Sequence, residues 1–101
     1  MASHAIALRL RVSAKQYADA ARQLRDGNVS ANPLSLALIE QGEYILSGYT
    51  SALITLTDIE TGQRYSASMP AVLAHYLSGF RRGRRVLEDH EFELALESEG
   101  D

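Results

Sequence analysis

Histidine is the side chain best suited to acid–base work and metal binding near neutral pH, and the chain carries three: His4, His75 and His90. Their separations match neither a helical pair one turn apart nor a zinc finger, and with no cysteine in the sequence no thiolate can complete a metal set. His75 also falls off the apolar stripe of its segment, which predicts a solvated surface side chain. Covalent catalysis needs a nucleophile with a base held against it. Ser13 and Ser68 both stand where helix N-caps are expected, which already gives each hydroxyl a partner. Gly27, Gly42, Gly48, Gly62, Gly79 and Gly83 are spread singly at expected turns and helix ends, so no loop gathers them to cradle a phosphate. Carboxylates are plentiful, but no pair sits in an apolar setting that would raise one of them for acid catalysis. These residues predict no enzyme, no cofactor and no metal site.

Two charge features remain. Arg81, Arg82, Arg84 and Arg85 put four guanidinium groups within five residues, a density suited to salt-sensitive phosphate contacts and hence a candidate nucleic-acid-binding site. Tyr44, Tyr49 and Tyr65 would strengthen it by stacking on bases if they faced outward, although strand tyrosines are more often half-buried. The bland alternative is a solvated loop that complements the negative end of a helix, with Glu88 and Asp89 close enough to neutralise it. The second feature is the segregation of charge. All ten Lys and Arg lie at or before Arg85, while Glu88, Asp89, Glu91, Glu93, Glu97, Glu99 and Asp101 follow it. Of these, Glu88, Asp89, Glu91, Glu93 and Glu97 form the candidate partner-binding set. Carboxylates alternating along a strand offer a spaced negative row to a basic groove. Edge protection and solubility are the plainer reading of the same row.

The elements that must position these groups follow from periodicity. Ile6, Leu8, Leu10 and Val12 alternate with Ala5, Ala7, Arg9 and Arg11, which predicts a half-buried strand from Ala5 to Val12. Ser13 and Gln16 have the form of a capping box opening a helix to about Arg25, with Tyr17, Ala20, Ala21 and Leu24 on one face. Asn32-Pro33 reads as an N-cap and first helical position, giving a short helix through Gln41 that Gly42 stops. A strand competes there, because Leu34, Leu36 and Leu38 also alternate. Strands are expected at Tyr44 to Tyr49, Ala52 to Ile59 and Gln63 to Ser68, the last two joined by a three-residue loop, Glu60-Thr61-Gly62. After Pro70, a stripe of Val72, Leu73, Tyr76, Leu77 and Phe80 predicts a helix ending near Gly79 to Gly83. Phe92, Leu94 and Leu96 then define a final strand with Glu91, Glu93 and Glu97 on its wet side.

The resulting order, β-α-α-β-β-β-α-β, predicts an α+β fold: a small mixed or antiparallel sheet of about five strands with helices on one face. At 101 residues the chain suits one domain and one core, expected over residues 5–97 with flexible ends at 1–4 and 98–101. Without cysteine, stability has to come from packing alone. No window approaches twenty uninterrupted apolar residues, so no membrane span is expected. Met1-Ala2-Ser3-His4 lacks the basic start and apolar stretch of a secretory signal, which points to a cytoplasmic protein. The strand from Ala5 or the final strand at a sheet edge would give a route to a homodimer.

In order and spacing the chain resembles a loosely defined group of short, uncharacterised proteins carried by bacteriophages and mobile elements. The likeness rests on Asn32-Pro33-Leu34, Ala37-Leu38 and Gly42, then Arg64-Tyr65, Gly79-Phe80-Arg81-Arg82-Gly83 and Phe92-Glu93-Leu94. It covers roughly residues 28–96 and includes no diagnostic motif. The chain departs from the group at Leu87 to His90, where a proline is usual. The resemblance implies a mobile-element origin and an accessory role such as countering host defence. Combined with the acidic row, it leads to a non-catalytic protein-binding inhibitor of a host protein or ribonucleoprotein, most concretely a CRISPR–Cas complex. Direct nucleic-acid binding through Arg81, Arg82, Arg84 and Arg85 is the alternative.

Overall fold

The computed structural model describes residues 5–84 and 88–99. Its elements run β1 (Ala5–Val12), α1 (Ala14–Arg25), α2 (Pro33–Gln41), β2 (Tyr44–Tyr49), β3 (Leu53–Asp58), β4 (Arg64–Ser68), α3 (Ala71–Arg81) and β5 (His90–Ser98). This is the expected α+β order. The strands form one antiparallel sheet in the order β1-β5-β4-β3-β2.

Local chemistry sets most element boundaries. The Ser13 hydroxyl accepts from the Gln16 amide at 3.1 Å while the Gln16 carbonyl oxygen accepts from the Ser13 amide at 2.8 Å, closing the capping box of α1. At its other end Gly27, at φ 99°, turns the chain so that the Asn28 and Gly27 amides bond the Gln23 and Leu24 carbonyls. Tyr17 and Ala20 face the core, whereas Leu24, expected on that face, is exposed in the last turn. In α2, the Asn32 side chain accepts from the Leu34 and Ser35 amides. Leu34, Ala37 and Leu38 are buried, a spacing that only a helix brings to one side, so the strand alternative is excluded.

Three further expectations need correction. Ser68 does not cap α3: it is the last residue of β4, opposite Leu53, and Pro70 holds the N-cap position with no side-chain bond. Val72 lies outside the apolar stripe of α3, because one residue's rotation of about 100° carries it away from Leu73, Leu77 and Phe80. The β3–β4 turn is also longer than three residues. The Asp58 carboxylate accepts from the Glu60 and Thr61 amides at 2.8 and 3.1 Å, so the turn begins at Ile59 and closes through Gly62 at φ 75°.

The sheet is long on one side and narrow at one seam. β1 and β5 pair along their lengths, from Ala5 with Glu97 to Val12 with His90. β4 and β5 share only Tyr65 with Ser98 and Ser66 with Glu97, so β5 reaches one residue past the expected core. The sheet curls from that seam, and α2 packs against both of its edge strands, β1 and β2. The Gln41 side chain donates to the Arg9 carbonyl on the free edge of β1 at 3.0 Å. A single core results, drawing Leu10 and Val12 from β1, Leu34 and Leu38 from α2, Ile54 and Leu56 from β3, Leu73 from α3, and Leu94 and Leu96 from β5.

Candidate functional site

Glu91, Glu93 and Glu97 of the acidic set sit on the uncovered face of the β1–β5 ribbon, and Glu88 and Asp89 come just before β5. Alternation along β5 sends Phe92, Leu94 and Leu96 into the core and leaves Glu91, Glu93, Ala95 and Glu97 exposed. β5 pairs with β4 only at Glu97 and Ser98, so the stretch carrying Glu91 and Glu93 has β1 alone beside it, and edge protection still accounts for those two carboxylates. The register places Arg11 opposite Glu91 and Arg9 opposite Glu93, while Glu97 lies between Ala5 and Ser66. The row is therefore a charge ladder in which two rungs carry a cation. Glu88, before the strand, is exposed.

Asp89 belongs to this set by position but is engaged inside the molecule. One carboxylate oxygen binds the Arg11 guanidinium and the other accepts from the Ala14 amide at 2.9 Å, at the first turn of α1. The Ala14 amide, then the Arg11 guanidinium, hold the Asp89 carboxyl below its usual range, and the same pairing raises Arg11. This tie joins β1, α1 and the start of β5.

The arginine cluster is divided by a helix end. Arg81 is the last residue of α3 and Arg82 its cap; Gly83 then adopts φ 82°. The Gly83 amide bonds the Phe80 carbonyl at 3.0 Å and the Arg84 amide bonds the Gly79 carbonyl at 2.9 Å, the paired bonds of a Schellman motif. That reversal lays the aliphatic stem of Arg84 across Gly79. Arg81 and Arg82 instead border an open cleft of about 510 Å³, with Arg84 outside its lining. Arg85 lies outside the described residues.

The β2–β3 turn forms the opposite wall of the cleft with Tyr49, Thr50 and Ser51, and Met69, Ala74, Leu77 and Ser78 complete it. Asn32, fixed by its capping bonds, donates to the Tyr49 hydroxyl at 3.0 Å. The Thr50 hydroxyl accepts from the Ala52 and Leu53 amides, each at 3.1 Å, which shapes the turn. Of the tyrosines considered for stacking, only Tyr49 borders the cleft. Tyr44 is buried and meets Tyr65 edge-on at 5.9 Å. Sequence reasoning offered Tyr49 but missed Thr50, Ser51 and Ser78 as companions of the arginines. The four-residue spacing from Ser78 to Arg82 was a usable signal for one helix face, but nothing local announces the β2–β3 turn.

His75 is exposed, as expected. His90 is half-buried and stacks on Tyr76 with ring centres 4.1 Å apart. Its Nε2 is enclosed without a hydrogen-bond partner, and so is the hydroxyl of Tyr17, whose ring packs 6.4 Å from Tyr76. The carboxylate next in sequence, Asp89, is committed to Arg11 and Ala14. Among the described residues no three His, Asp or Glu side chains gather as a metal-binding group, and no helix is long and apolar enough to cross a membrane.

No protein-family model matches this chain, and neither a curated protein nor a solved structure matches it.

Proposed function

We propose that this protein is a non-catalytic binding module that inhibits or modulates a host machine by laying the outer face of β1 and β5 against a basic, nucleic-acid-binding surface of its partner. The observation that carries the reading is the composition of that face. Across the β1–β5 ladder, Glu91 and Glu93 face Arg11 and Arg9, Asp89 binds Arg11, and Glu97 faces Ala5 and Ser66 with no cation opposite it. Along β5, Glu91 and Glu93 stand about 6.8 Å apart and Glu97 lies about 14 Å beyond Glu93, past Ala95, a negative row on the exposed face of the strand. The Arg9 and Arg11 rungs give it polarity, so charge complementarity would select both partner and orientation. The mechanism is steric and electrostatic: the ribbon occupies the groove that would hold nucleic acid.

The resemblance to proteins of phages and mobile elements makes an inhibitor of a CRISPR–Cas complex, acting inside the host cell, the most concrete form of this role. Its test is a triple charge reversal, Glu88→Lys, Glu93→Lys and Glu97→Lys, which leaves the Asp89 tie untouched. The native protein should capture a nucleic-acid-binding complex from host extract and reduce its loading with DNA or RNA, and the reversed variant should lose both effects. Equal capture by a variant of unchanged melting temperature would refute the docking face.

A further inference from the structure

We propose that the cleft between the β2–β3 turn and α3 binds a nucleoside phosphate, with the phosphate held by Arg81 and Arg82 and the base resting on its apolar floor. This site uses none of the β1–β5 face, so it stands or falls independently of the docking role.

The chemistry of the cleft is one-sided. Among the described residues, two guanidinium groups and four hydroxyl residues border it, and no carboxylate does. Two of the hydroxyls already accept hydrogen bonds from within the protein. The Tyr49 oxygen receives the Asn32 amide and the Thr50 oxygen receives two backbone amides, so each keeps its own proton to donate. Ser78 stands one turn before Arg82 on α3. A group that accepts many hydrogen bonds and carries negative charge satisfies all of these donors together, and a phosphate does both.

A helix C-terminus is ordinarily a poor place for an anion, because its bare carbonyls carry partial negative charge. Here the Schellman turn weakens that objection by pairing three of the last four carbonyls. The Ser78 carbonyl receives the Arg82 amide, Gly79 the Arg84 amide and Phe80 the Gly83 amide, so the last turn does not present these three unpaired. The same turn sends Arg84 over Gly79 and leaves Arg81 and Arg82 at the cleft.

The apolar part of the lining argues for more than an inorganic anion. Met69, Ala74 and Leu77 supply a floor, Tyr49 adds an aromatic ring, and about 510 Å³ is within the size range of small-ligand pockets. A base stacked on a tyrosine beside a phosphate held by arginine is the recognition mode of a free nucleotide or of an unpaired residue in a single strand.

Titration at 50 mM salt of the full chain with adenosine monophosphate, inorganic phosphate, a twelve-residue single-stranded DNA and the corresponding duplex separates these ligands. Saturable binding of the mononucleotide or the single strand is expected, with inorganic phosphate weaker by about tenfold or more; the tighter of the first two identifies the source. Arg81→Gln and Arg82→Gln should each weaken binding by about tenfold or more, the loss of one charge-assisted contact. Arg84→Gln should leave it unchanged. Four results would each overturn the assignment: no saturable binding of either nucleotide form, phosphate binding as tightly as the nucleotide, preference for the duplex, or equal losses from all three arginine variants. Ser78→Ala, with melting unchanged, gives a second readout should an arginine variant fold poorly.

Discussion

The Asp89 carboxylate binds the Arg11 guanidinium with one oxygen and the Ala14 amide with the other. One side chain thus pins the start of β5 to the end of β1 and to the exposed first turn of α1, whose unpaired amides favour negative charge. Its folded pKa lies below the ordinary 3.8, so its stabilising effect is complete above about pH 4 and lost as pH falls through the depressed folded value. Asp89→Asn should lower the melting temperature at pH 7, and the gap from the native protein should close as pH is lowered below 3.8. A gap of constant size across that range would show that the charge on Asp89 contributes nothing.

Helix α2 fills the opening between the two edge strands, and Leu38 is 1% exposed at its inner face. Leu38→Ala should cost about 2–5 kcal/mol, the range for emptying a buried leucine site. Ile39→Ala, one residue along and 58% exposed, should change stability by about 0.5 kcal/mol or less. Urea denaturation of both variants checks the contrast. Similar losses would mean that α2 does not lie inner face down in the folded protein.

Burial, with a contribution from Tyr76, pushes the Tyr17 phenol up to about 12. A folded pKa above the ordinary 10.0 contributes stability that is complete below that value and lost as pH rises toward 12. Tyr17→Phe removes a buried hydroxyl with no protein partner, so it should be neutral or stabilising at pH 7. It should also unfold less steeply between pH 10 and 12 than the native protein. Denaturation midpoints measured across that range decide it, and an unchanged alkaline limb would count against an enclosed hydroxyl.

Gly83 closes α3 at φ 82°. Gly83→Ala places a side chain in left-handed backbone and should cost about 1–2 kcal/mol. Gly48→Ala, where φ is not left-handed and no heavy atom lies within 4 Å of the added carbon, is the matched comparison and should cost less. Thermal melts of the pair provide the measurement.

Much of the architecture could be read from the chain because its causes are local. Ser13 and Gln16 make their capping box within four residues, and Leu34, Ala37 and Leu38 identify α2 once helix and strand spacings are compared. The misreadings have equally specific causes. Ser68 looked like a cap because a proline-started helix follows it, but the strand runs through it and takes up its backbone. The arginines looked like one cluster because distance along the chain says nothing about the reversal at Gly83. The carboxylates of β5 looked like an unopposed row because their partners, Arg9 and Arg11, lie far away in sequence and meet them only through the register of β1. The cleft was hidden for the same reason: Arg81 and Arg82 lie roughly thirty residues from Tyr49 and Thr50 and meet them only in the folded chain.

The longest ladder in the sheet joins residues 5–12 to residues 90–97. Loop-closure entropy makes so distant a pairing expensive to form first, while the neighbouring hairpins of β2, β3 and β4 close over short turns. Loop-closure entropy thus favours the middle of the chain forming ahead of the β1–β5 ladder. In any state that lacks β5, Leu8, Leu10 and Val12 have no strand beside them, and such exposed apolar strand is what promotes aggregation.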